Sequence, residues 1–122
     1  MSEEISSLPP QLQDQIIRLQ GLQRTLQTVV EAKTQLDLEL AETNRALEEL
    51  EKMADDALVY KSVGALLIKT DKKSVLTELN ERKELVNTRI TVLTKQEERS
   101  RQKVRELQEK VQAGLKGTNV PA

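Results

Sequence analysis

The sequence predicts a mainly α fold: a long antiparallel two-helix coiled coil with a single β-hairpin between the helices. Three observations carry this. Apolar residues recur at heptad spacing through two long segments, a short apolar insert around Gly64 interrupts the repeat, and the 122 residues include one aromatic, Tyr60. Large aromatic side chains dominate compact cores. A chain of this length with almost none packs a thin, extended core of Leu, Val and Ile instead.

Residues 1–9 read as a flexible N-terminal tip. Pro9-Pro10 closes it, since proline suits the first turn of a helix and is excluded from its interior. Residues 10–53 form the first helix. Leu12, Leu19, Leu26, Lys33, Leu40 and Leu47 recur every seven positions, with Gln15, Leu22, Val29, Leu36, Thr43 and Leu50 three positions on. These are the two core rows of a coiled coil.

Residues 54–71 are the least helical part. Leu58 to Val63 and Ala65 to Thr70 are short apolar runs flanking Gly64, the pattern of a β-hairpin. The second run is apolar at Ala65, Leu66, Leu67 and Ile68, so it presents apolar groups on both faces. Such strands are buried on both sides, and a lone two-stranded hairpin is marginal in water. Hairpins of several chains pairing into a shared sheet or barrel resolve this. The assembly residues are therefore Val59, Tyr60, Val63, Gly64, Leu66, Leu67 and Ile68.

The heptads return over residues 72–113. One row is Leu79, Val86, Leu93, Ser100 and Leu107; the other is Leu76, Lys83, Ile90, Glu97, Val104 and Val111. Either Asp71 or Ser74 caps the start, and Gly114 with Gly117 supplies the stop. Residues 114–122 then form a flexible C-terminal tip. Exposed faces carry Glu48–Lys52, Glu78–Arg82, Glu97–Arg101 and Glu106–Lys110 at the favourable i,i+4 spacing. Lys33 and Glu97 sit in core rows, where they either snorkel to water or pair with each other and fix the register.

Folding the helices back antiparallel, with the rows facing, pairs residues 19 with 107, 22 with 104, 36 with 90 and 47 with 79, all summing to 126, although heptad spacing alone also allows sums of 119 or 133. The sum of 126 centres the reversal at residue 63, beside Gly64, whose backbone reaches positive φ freely. At about 1.5 Å per residue each helix would be roughly 60–65 Å long, giving a narrow hairpin rod.

Function classes fall away by composition. Cys and His are both absent, which excludes a Ser-His-Asp triad, Cys/His zinc sites and disulfides. Nineteen basic against 20 acidic residues leave a net charge of -1, with no electrostatic footprint for nucleic acid. No apolar run approaches the ~20 residues of a membrane span, the acidic start lacks the pattern of a signal peptide, and no phosphate-cradling Gly-Lys-Ser/Thr loop occurs. We expect no enzyme, no cofactor, no metal, no nucleic-acid partner and no membrane partner.

Pro9-Pro10-Gln11, Ala46-Leu47-Glu48-Glu49-Leu50, the central run from Asp55-Asp56-Ala57 through Tyr60-Lys61 and Gly64 to Ile68-Lys69, and Lys95-Gln96-Glu97-Glu98 resemble the β-type subunits of the prefoldin family, most closely the archaeal form. The central run is the specific part. The resemblance implies a hetero-hexamer of two α-type prefoldin subunits and four β-type copies, with a shared β-barrel and projecting coiled coils. It implies an ATP-independent cytoplasmic chaperone that captures unfolded client proteins at the coil tips and passes them to a group II chaperonin. The single hairpin places this chain in the β type. The tip residues would be Ile5, Leu8, Leu12, Ile16, Ile17, Val111, Leu115 and Val120. Of these, Ile5, Leu8, Leu115 and Val120 lie beyond the last clean heptad pairing, and Ile17 lies off both rows. The rival reading is a structural coiled-coil scaffold or oligomerisation module without client binding, which would not need a two-faced apolar hairpin.

Overall fold

The structure, a computed structural model, describes residues 7–117. Helix α1 spans Pro10–Glu51, strand β1 Val59–Val63, strand β2 Leu66–Thr70 and helix α2 Lys72–Gly117. The chain divides into two compact units. One joins α1 through Ala32 to α2 from Leu93, and the other comprises residues 33–92.

In the first unit the heptad rows meet as a core. Leu8, Leu12 and Val111 are buried together, with Ile16, Leu19 and Leu115 packed against them. Val104 and Leu107 are buried as well. Gly114 does not stop the helix, which runs on to Gly117. The physical reason is a close approach. A Cβ on Gly114 would stand 2.8 Å from Leu12 Cδ1, so the missing side chain is what lets Leu12 lie against α2. Residues 12 and 114 also sum to 126, the register that the heptad rows predict.

The second unit holds the hairpin and the helix segments beside it. Val86 is 1% exposed, and Leu50 and Val59 are buried. Thr43 occupies a core position at 5% exposure, and its hydroxyl donates to the Glu39 carbonyl at 2.8 Å. That local bond satisfies the polar group and makes its burial tolerable. Arg82 crosses from α2 to Glu39 on α1, with Nη2 2.7 Å from Oε1.

β1 and β2 pair antiparallel from Val59↔Thr70 to Val63↔Leu66. Gly64 takes φ 58° at the first of the two turn positions, where the tight hairpin turns need a positive φ that glycine adopts freely. The centre of the hairpin therefore falls between residues 64 and 65, slightly past the position that the helix rows give. The two connections differ in length: residues 52–58 lead from α1 into β1, while Asp71 alone separates β2 from α2.

The exposed ion pairs are partly redistributed. Glu97–Arg101 forms at 3.0 Å. Lys52 turns to Glu49 at 3.5 Å, Glu78 pairs with Lys61, and Glu106 accepts from Gln102 at 2.9 Å. Each alternative partner lies within reach on the same face or across the fold. Single exposed pairs differ by only a few tenths of a kcal/mol, so spacing alone cannot rank them.

Candidate functional site

Two surfaces carry the candidate residues, one in each unit. In the hairpin, side chains alternate between faces. The register puts Val59 with Thr70, Lys61 with Ile68 and Val63 with Leu66 on one face, and Tyr60 with Lys69 and Ser62 with Leu67 on the other. Only Val59 is buried. Tyr60 is 55% exposed, Leu66 65%, Leu67 74% and Ile68 46%, with Val63 similar. Both faces thus present large apolar groups to solvent, and the two-stranded sheet leaves each strand with an unpaired edge.

Burying a large apolar side chain is worth about 1.5–3 kcal/mol, so five give on the order of 10 kcal/mol. Association costs an estimated 4–15 kcal/mol. One hairpin against one partner therefore only about breaks even.

The base of the hairpin is anchored by charge. Lys61 Nζ reaches the Glu78 carboxylate on α2 at 2.9 Å. Lys72, the first residue of α2, donates to the Met53 carbonyl at 2.9 Å and to Asp55 Oδ1 at 3.3 Å. Asp71, rather than Ser74, caps α2. Its Oδ1 accepts from the Ser74 backbone N–H at 2.8 Å and its Oδ2 from the Ser74 hydroxyl at 3.0 Å. These bonds, the backbone one first, hold the Asp71 carboxyl below the ordinary value of 3.8.

The tip residues in the other unit differ in exposure, and Leu8 departs from the sequence expectation. Leu8, Leu12 and Val111 are buried at 7, 5 and 7% exposure, and Ile16 and Leu115 are half-buried against them. Leu8, expected beyond the last pairing, is turned inward. Its carbonyl accepts from Gln13 Nε2 at 2.6 Å, which ties the segment before Pro9 back onto the first turns of α1. Ile17 is 60% exposed, as its place off both rows predicts. Ile5 and Val120 lie outside the described residues. Beside this cluster Pro9, Gln11, Leu12, Gln15, Lys110, Ala113 and Gly114 line an open groove of about 400 Å³.

Some exposed apolar residues had no place in the sequence reading: Leu38, Leu85 and Val92, at 55, 51 and 50%. All three lie off the core rows, and that offset is the signal that would have found them. Among the described residues no group of acidic side chains is arranged to hold a metal ion, and no helix is long and apolar enough to cross a membrane.

A family model described as "Prefoldin subunit" matches residues 13–118. The prefoldin subunit beta of Pyrococcus furiosus is 40% identical over 112 residues, covering 92% of this chain and 96% of the relative. That of Methanosarcina acetivorans is 44% identical over 110 residues, covering 90% and 94%. The crystal structure of the prefoldin beta subunit from Thermococcus strain KS-1 superposes with a TM-score of 0.81 at 41% identity, covering 88% of this chain and 95% of that one. The beta2 subunit from the same strain shares the fold, with a TM-score of 0.68 at 19% identity over 75% and 97%.

Proposed function

The chain belongs to the prefoldin family as a chaperone subunit of the β type, and on that premise we propose that it captures non-native proteins without ATP, within a hetero-hexamer of two α-type and four β-type subunits. The hexamer closes through the hairpins and works in the cytoplasm. It passes its clients to a group II chaperonin, and neither catalysis nor a cofactor enters. The observation that supports assembly most directly is the hairpin: Tyr60, Val63, Leu66, Leu67 and Ile68 all stand exposed although they are large and apolar. Contiguous exposed patches of this kind mark interaction surfaces.

Client capture rests on the unit built from the two helix ends. Ile17, the half-buried Leu115 and the groove beside Leu12 supply its apolar contacts. Each is small, so useful affinity needs several copies acting together.

Burial of Leu8, Leu12 and Val111 favours the second reading, a scaffold whose coil ends simply close on themselves. One experiment separates the two. The chain is mixed with an α-type prefoldin subunit, sized by native mass spectrometry, and added without ATP to a denatured client as it aggregates. Suppression by a hexamer supports capture. An intact hexamer that leaves aggregation unchanged supports the scaffold.

A further inference from the structure

We propose that Lys72 is the joint that fixes how the hairpin leaves the helices. This rests on the reading of the hairpin as the assembly element.

Lys72 stands where a lysine is poorly placed by every local rule. It is 9% exposed, while lysine is almost never fully buried. It is the first residue of α2, where the positive end of the helix dipole disfavours a cation, and the nearest carboxylate in sequence, the capping Asp71, is taken up by Ser74. Lys73 beside it is exposed. Its carboxylate partner, Asp55, is fully exposed, so that ion pair alone is a weak reason for burial.

What remains is the bond to Met53. Helix α1 ends at Glu51, and its last turn carries no basic residue. The turn beyond it closes with the Met53 N–H donating to the Leu50 carbonyl at 3.1 Å. Met53 lies two residues past the end of the helix, and its carbonyl needs a donor from outside that turn, while a cation just beyond a helix C-terminus is favoured by the dipole. Lys72 provides both from the opposite side of the hairpin, its Nζ 2.9 Å from the Met53 oxygen. Its aliphatic stem is buried, so the charge is held in place. One side chain thus ties the end of α1 to the start of α2, across the root of the two strands. Lys61–Glu78 braces β1 against α2 farther along, but both of its partners are about half-exposed and screened by salt. The joint at Lys72 is the one that salt does not loosen.

The test uses the full chain, which has no cysteine of its own. Ser62→Cys on β1 and Asn80→Cys on α2 carry spin labels, diluted with unlabelled protein so that only distances within one chain count. Assembly with an α-type subunit is measured on chains without labels. Lys72→Met keeps the stem and removes the donors. It should broaden the distance distribution about twofold and weaken assembly about tenfold, the scale of losing one charge-assisted bond. Helix content by circular dichroism should stay constant, and 0.5 M salt should not reproduce the broadening. Asp55→Asn should change neither reading. Lys72→Gln, too short to reach Met53 yet still polar, should behave as Lys72→Met does and serves in its place if that variant misfolds. An unchanged distribution in both Lys72 variants overturns the joint. Broadening by Asp55→Asn or by salt overturns the role of the Met53 carbonyl in favour of the ion pairs. A broadened distribution with full assembly upholds the joint and overturns the hairpin as the assembly element.

Discussion

Leu66, Leu67 and Ile68 in the hairpin stand 65, 74 and 46% exposed, whereas Leu8, Leu12 and Val111 in the unit formed by the helix ends stand at 7% or less. Both sets are aliphatic, two leucines with one β-branched residue each. The difference lies in what each backbone can cover. A helix pair gives each apolar row a facing row, so burial is completed within the chain. A two-stranded sheet has two faces and two edges and can cover only one root position, Val59, against its own chain. Apolar composition therefore says little about which surface seeks a partner. The geometry of the element that carries it says much more.

The comparison breaks first at Leu67. A charge there would be unpaired inside any shared sheet, where it is strongly unfavourable. Leu67→Asp should abolish assembly with an α-type subunit, with helix content by circular dichroism retained. A native mass spectrum identical to that of the original chain would show that the exposed hairpin is not the interface.

Alanine substitutions sharpen it further. Leu12→Ala removes a buried side chain and should destabilise the unassembled chain by about 2–4 kcal/mol in denaturant unfolding. Leu67→Ala in the same unassembled chain should change stability by less than about 0.5 kcal/mol, since that side chain is in water already. Equal effects at the two sites would erase the distinction between displayed and satisfied apolar groups.

A smaller effect is expected at Ile17, the exposed apolar residue of the helix-end unit. Ile17→Ser should leave assembly and melting unchanged and weaken suppression of client aggregation about two- to fivefold, the scale of losing one partly buried methyl-rich contact in each copy. Full suppression by the variant would move capture away from this face, with Leu85 and Val92 as the next exposed apolar positions to test.

The smallest effect concerns acid. The Asp71 carboxyl is held below 3.8 in the folded chain by Ser74. A depressed carboxyl stabilises the fold above its unfolded value, and that contribution is lost as pH falls through the folded value. Thermal melts should therefore show a slight extra loss of stability below about pH 3.8 that Asp71→Asn removes, while at pH 7 the variant is slightly less stable than the original chain, because the amide has one acceptor oxygen where the carboxylate has two. An unaltered acid limb in the variant would mean that the cap does not titrate in the folding equilibrium.

Much of this architecture was legible in the heptads. Six repeats before Met53 and their return after Asp71 give two helices and a facing register, and the contact of Leu12 with Gly114 falls on that register. The single hairpin was legible from Gly64 and the apolar runs beside it. What escaped was decided by contacts between distant segments. Glycine is ambiguous between stopping a helix and admitting a neighbour, and at Gly114 only the position of Leu12 decides. Leu8 precedes a Pro-Pro boundary and carries no periodic signal, so its inward turn depends on the bond to Gln13. Lys72 and Lys73 are the same residue type side by side, and nothing local says which one lies buried. The exposed apolar residues of the hairpin were legible because two short strands cannot cover both of their own faces. The tip residues were harder, since the same leucines both close a coil and could serve a client.

Tyr60 is the chain's lone aromatic, and it stands 55% exposed on the hairpin. Its near-ultraviolet absorbance and fluorescence therefore come from one site, inside the surface assigned to assembly. With no tryptophan, excitation at the red edge of the protein band passes over this chain and lights only a tryptophan-bearing client. Subunit joining and client capture could thus be followed in two optical channels at once, without attaching a dye to either partner.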